Sequence, residues 1–126
     1  MGPAYFTKLI YFLIPRTKGA PPGGYIMDQW AGCSVNLLAG QEVVLMDTAS
    51  YWLLPKKKTS SSLEKRWTFT VSNLNTPKNY EAFCQIVDSL ASHFNITADE
   101  VDRALLSDGG RQAAPWRAYI IEHRRP

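Results

Sequence analysis

Between Pro3 and Pro15 the chain runs Ala4-Tyr5-Phe6-Thr7-Lys8-Leu9-Ile10-Tyr11-Phe12-Leu13-Ile14, and on a helical wheel its apolar side chains point in nearly every direction. In a soluble protein this pattern predicts a helix packed on most of its sides. Pro15 ends it, because proline offers no amide hydrogen and clashes with the preceding turn. The same run imitates the apolar centre of a signal peptide. However, Lys8 interrupts it, no basic segment precedes it and no small-residue cleavage site follows, so export is not expected. Met1-Gly2 does not make a myristoylation site either, since Phe6 stands where Ser or Thr is needed. The expectation is a cytoplasmic protein without a membrane partner.

The remaining elements follow from punctuation. Lys18 to Gly24 is a Pro/Gly loop by composition. From Tyr25 or Ile26 to Leu38 a second helix is expected, with Ile26, Trp30, Cys33 and Leu37 at helical spacing and Gly40 as its stop. Glu42 to Met46, Tyr51 to Leu54 and Trp67 to Val71 are rich enough in β-branched and aromatic residues for short strands. They suggest a small hairpin around the exposed Lys56 to Ser62 loop. Thr76-Pro77 is a helix entry, and that helix should run to about Phe94. Thr97-Ala98-Asp99-Glu100 has the form of a capping box, opening a short helix through Leu106 that Gly109-Gly110 stops. A last helix spans roughly Pro115 to His123, with Trp116, Tyr119 and Ile120 inward and Arg117, Arg124 and Arg125 toward solvent.

The 126 residues fit one domain. The fold class is therefore mainly α, a compact domain of about five helices with a small β-hairpin in the middle. Helical spacing predicts a core of Phe6, Leu9, Leu13, Trp30, Leu37, Phe83, Val87 and Leu90, closed on one side by Tyr119 and Ile120. Cys33 and Cys84 each lie within a helical stretch rather than in a metal-type cluster. Buried free thiols are expected, and no zinc site.

The formal charge of +3 is unevenly spread, with basic ends around an acidic stretch over residues 76–108. An anionic partner is favoured only weakly by the total.

Function comes into view with Gly2-Pro3-Ala4-Tyr5-Phe6-Thr7-Lys8, a glycine turn feeding a helix, followed by the Pro/Gly loop and Tyr25-Ile26-Met27-Asp28. This order resembles the helix-hairpin-helix DNA glycosylase superfamily, in particular the C-terminal half of bacterial proteins with an 8-oxoguanine DNA glycosylase fold. The likeness continues in Asn75 to Phe83, Asp99 to Leu105, Gly109-Gly110 and Pro115-Trp116-Arg117. It thus touches residues 2–38 and 75–125 and leaves the middle unmatched.

The resemblance implies that hairpin amides hold a phosphate of double-stranded DNA. That role would fall on Gly2 and Ala4, with Lys8 as a helper. It also implies a catalytic aspartate, Asp28, acting at the sugar of a flipped nucleotide. No cofactor or metal is implied. Bifunctional members also use a lysine that precedes the glycine turn, whereas Lys8 follows it. The chain is accordingly expected to lack the first helical segment and to be inactive alone. Lys56, Lys57, Lys58, Arg117, Arg124 and Arg125 are further candidates for phosphate contact.

Each candidate has an ordinary structural explanation. Asp28 suits the start of any helix, and the lysine run suits a solvated loop. Ala91, Asn95 and Val101 have helix-turn-helix spacing, but Asp99, Glu100 and Asp102 would face phosphates with the wrong sign, which favours plain helix packing. The alternative function is a non-enzymatic module on a glycosylase-like scaffold, binding a protein partner or itself through an exposed apolar face.

Overall fold

The structure, a computed structural model, describes residues 2–14, 22–54, 63–106 and 115–126. In chain order they form α1 (Pro3–Leu13), α2 (Gln29–Ala39), β1 (Met46–Leu53), β2 (Glu64–Val71), α3 (Pro77–Phe94), α4 (Ala98–Leu105) and α5 (Pro115–His123). The protein is mainly α with one antiparallel hairpin, in which Met46 pairs with Val71 and Leu53 with Glu64. Lys56, Lys57, Lys58 and Gly109-Gly110 lie outside the described residues.

The punctuation residues act as the sequence suggests. Thr76 and Thr97 each close a capping box, with Asn79 and Glu100 respectively. Gly40 takes the left-handed conformation (φ 65°) that ends α2. Between α3 and α4, Asn95 turns the chain at φ 52°. Val101 and Leu105 then enter the main core, so α4 packs as an ordinary helix.

Helix α2 is the hub, packed against α3, α4, α5 and both strands. On one side Tyr25, Met27, Ala31 and Val35 meet Val43, Val44, Phe83, Val87, Val101 and Leu105. On the other, Cys33, Phe69 and Ile120 form a smaller cluster flanked by Trp30, Leu37, Met46 and Trp116. Gly32 lets the chain leading into β1 come this close, since a Cβ there would stand 3.1 Å from Val44 Cγ1. Cys33 and Cys84 are free and buried.

Four expectations need correction. First, α1 is not packed on most sides. Thr7 is its one buried residue, while Tyr5, Phe6, Leu9, Phe12 and Leu13 are all more than half exposed. Its ties to the rest include polar contacts, with Met27 N donating to Thr7 Oγ1 (3.0 Å) and the Tyr11 hydroxyl to Asp99 Oδ1 (3.3 Å). Phe6, Leu9 and Leu13 therefore do not belong to the core. Of the other expected members, Phe83, Val87 and Ile120 are fully buried, Trp30, Leu37 and Leu90 are half-buried, and Tyr119 is exposed.

Second, α2 starts at Gln29 and not at Tyr25 or Ile26, because the Asp28 side chain caps it. Third, of Glu42 to Met46 only Met46 is strand. Asparagine amides replace a neighbouring strand there. Asn36 Oδ1 accepts from Val43 N and Val44 N, and Asn75 Oδ1 accepts from Leu45 N, at 2.8–2.9 Å. With those bonds Val43 and Val44 are both buried, which a pleated strand with alternating faces would not give. Fourth, Arg117 and Arg124 do not stand free in solvent but lie against aromatic rings.

Candidate functional site

The segment that delivers Asp28 is extended and tied at successive points. The Tyr25 hydroxyl donates to Asp88, and the Tyr25 carbonyl accepts from the Tyr80 hydroxyl at 2.9 Å. Burial, reinforced by the Asp88 hydrogen bond, pushes the Tyr25 hydroxyl up to about 12, so it stays a donor across the physiological range. Two residues on, Met27 N is held by Thr7, whose own hydroxyl donates to Ala4 O at 3.2 Å. One buried hydroxyl thus joins the first turn of α1 to the residue before Asp28.

Asp28 Oδ1 accepts from Trp30 N and Ala31 N, each at 2.9 Å. Burial raises the carboxyl above its ordinary range. The two amide bonds, then the charges of Lys8 on α1 and Arg117 on α5, pull it back. The carboxylate thus feels a cation from each of two other helices, α1 and α5, without an ion pair to either.

The cations are held by rings. Arg117 lies 3.9 Å from the centroid of Trp30, while Arg124 lies 5.0 Å from Trp30 and 4.2 Å from Phe69. An arginine over an indole face gains electrostatic attraction and keeps its planar donors aligned. Arg124 Nη1 is buried without a hydrogen-bond acceptor among the described residues. Beside it, burial pushes the Cys33 thiol up against the pull of that guanidinium, so the sulfur stays a protonated thiol. Arg125 is exposed, its guanidinium donating to the Glu122 and Arg124 carbonyls.

The residues singled out in the sequence thus separate into groups. Gly2 caps α1 without a side-chain bond, and Ala4 lies in the turn it opens. Ala4 is tied through Thr7 to Met27, the residue before Asp28, while Gly2 lies beside Asn73. Arg124 points instead to Phe69, beside a cavity of about 400 Å³ lined in part by Cys33, Glu42, His123 and Arg125. No group of three His, Cys, Asp or Glu is arranged to hold a metal among the described residues, and none of their helices is long and apolar enough to cross a membrane.

Sequence reasoning missed Trp30 as the platform for both arginines. The available signal was the spacing of Arg117 and Arg124, seven residues or about two turns, which puts Arg124, just past the end of α5, on the same side as Arg117. It also missed Thr7, whose role depends on a partner twenty residues away.

Replacing Asp28 separates its cap from its charge. Asp28→Asn keeps the acceptor and removes the cost of burying a charge. It should leave the melting temperature at pH 7 unchanged or raised, whereas Asp28→Ala should lose about 1 kcal/mol of stability. Because the folded pKa of Asp28 is raised, its contribution is complete below the ordinary carboxylate range and is lost as pH rises through the raised value. The wild type should therefore fall relative to Asp28→Asn between about pH 4 and pH 7. Thermal melts of both proteins at the two pH values check this, and a wild-type advantage that grows with pH would contradict it.

A family model described as "Putative 8-oxoguanine DNA glycosylase OGG-like protein" matches residues 1–106. The match includes the hairpin, which the motif likeness left out, and ends before α5. No curated protein and no solved structure matches the chain.

Proposed function

Because the chain belongs to the family of 8-oxoguanine DNA glycosylase OGG-like proteins, we propose that it binds double-stranded DNA through the start of α1 and the basic face of α5, with Asp28 facing the sugar of the held nucleotide. The observation that carries this reading is the family match over residues 1–106, and the charges of Lys8 and Arg117, both felt by the Asp28 carboxyl, agree with it. The amides of Gly2 and Ala4, at the start of α1, are donors to which a phosphate can bind. Arg124 and Arg125, and the Lys56 to Lys58 run, extend the footprint. Such contacts recognise backbone rather than bases, so binding is nearly indifferent to sequence.

In this reading Asp28 supports positive charge developing at the sugar, but the chain by itself releases no base. An extruded base needs an enclosing pocket to offset a few kcal/mol of lost stacking. None of the cavities found among the described residues is lined by Asp28, and Phe6 and Leu9 of α1 are more than half exposed. Residues 1–126 are read as one glycosylase-like helical domain in the cytoplasm.

Duplexes with and without 8-oxoguanine, uracil or an alkylated purine test the reading by gel shift, base-release assay and borohydride trapping. The expected result is a shift with every duplex, no free base and no trapped adduct. An adduct that disappears in Asp28→Asn would overturn the claim of inactivity. Failure to bind any duplex at about 50 mM salt, where backbone contacts are strong, would overturn the whole proposal.

A second reading rests on the exposed apolar side chains of α1. As a face for a protein partner or another copy, they would serve the non-enzymatic module instead.

A further inference from the structure

The hairpin presents two unlike faces. Successive strand residues alternate, and directly paired residues share a face. One face therefore carries Asp47, Ala49, Tyr51 and Leu53 with Glu64, Arg66, Thr68 and Thr70. The other carries Met46, Thr48, Ser50 and Trp52 with Lys65, Trp67, Phe69 and Val71. Both acids of the hairpin fall on the first face, where Glu64 is paired with Arg66 at 3.0 Å. No strand residue of the second face is acidic, and Glu42 adjoins only its buried end, at Met46 and Phe69.

This second face begins in the core and ends in solvent. Phe69 is buried beneath Arg124, whereas Trp67 and Trp52 are 37% and 60% exposed. Lys65 Nζ lies between the two indoles, 4.9 Å from the Trp67 ring and 5.9 Å from the Trp52 ring. Ser50 pairs across from Trp67 and Thr48 across from Phe69, so each ring on β2 has a small hydroxyl residue opposite it. Exposed indoles with a cation between them offer stacking surface and positive charge together, which is the chemistry that binds unpaired bases and their backbone. Trp52 on β1 and Trp67 on β2 are diagonal neighbours on this face, positions that lie roughly 7–8 Å apart across a strand pair. That separation is about twice the roughly 3.4 Å step of a duplex strand, and suits bases already pulled apart.

We propose that the Trp52–Lys65–Trp67 face of the hairpin is a binding site for single-stranded DNA, stacking unpaired bases on the two indoles. The inference rests on the reading of the protein as DNA-binding and adds to it a second surface, separate from Asp28, for an unpaired strand. The absence of acids around the two indoles among the strand residues of this face, against two on the reverse, favours a polyanion over a protein partner.

Tryptophan fluorescence titrations with a short oligothymidine and with a duplex of equal length test it. Expected are binding of both by the wild type, and a roughly tenfold loss of single-strand affinity in Trp52→Ala and in Trp67→Ala. Duplex affinity should stay within about twofold, and Trp52→Phe and Trp67→Phe, which keep a ring, should retain most single-strand binding. Lys65→Glu should weaken it, while Arg66→Ala on the reverse face should not. Those ring-preserving and charge variants decide the matter if the alanine variants disturb the hairpin. Duplex binding without single-strand binding would overturn this inference alone, as would single-strand affinity unchanged in Lys65→Glu and both alanine variants. Binding of neither DNA would overturn it together with the proposed function.

Discussion

Phe83→Ala should lower the unfolding free energy by about 3–5 kcal/mol, read by urea denaturation followed by circular dichroism. Phe83 is fully buried, stacked near Tyr80 on α3 and enclosed by a cluster that draws on α2, α4 and the segments before α2 and β1. Truncating it removes apolar contact and leaves a void that several elements would have to move to fill. Small domains are stable by only about 5–15 kcal/mol, so the loss is a large share of the whole. Leu9→Ala is the internal comparison. Sequence spacing ranks Leu9 with Phe83, yet it is 52% exposed, and its truncation should cost less than about 1 kcal/mol. Equal losses at the two sites would contradict the placement of α1.

The second large effect is on binding. If Lys8, Arg117, Arg124 and Arg125 each neutralise a phosphate, raising salt from about 50 to about 200 mM should weaken duplex binding on the order of a hundredfold, since each contact contributes about −0.9 to the slope of log affinity against log salt. Replacing Lys56, Lys57 and Lys58 together by Ala should lower that slope by up to about 3 if the loop joins the footprint. An unchanged slope would remove the loop from it. A flat salt dependence in the wild type would remove the phosphate contacts altogether.

What was legible in the sequence was mostly local. Thr76-Pro77, Thr97 with Glu100, and Gly40 specify helix ends through bonds made within a few residues, and those ends stand where expected. The hairpin was readable as β-branched and aromatic runs on either side of a polar loop. Periodicity failed for α1, because an apolar helix announces a need for cover without saying whether the chain provides it. It failed for Glu42 to Met46 because the partners of that segment are asparagine side chains from α2, the turn before α3, and α3 itself. At the candidate site Asp28 was singled out only through the family resemblance, and the part of it that the structure shows is the helix cap that its position also predicts. Lys8 and Arg117 were found only as cations, since their shared influence on Asp28 depends on how α1, α2 and α5 pack.

The joint at Thr7 gives the first helix a stability of its own, distinct from that of the core. With Thr7 as its one buried residue, α1 should open at less cost than global unfolding, and hydrogen exchange should find its amides faster than those of α3. The bond from Met27 N to Thr7 is the point at which such an opening would reach the segment that carries Asp28, so a molecule that clamps α1 in place should also slow exchange at Met27.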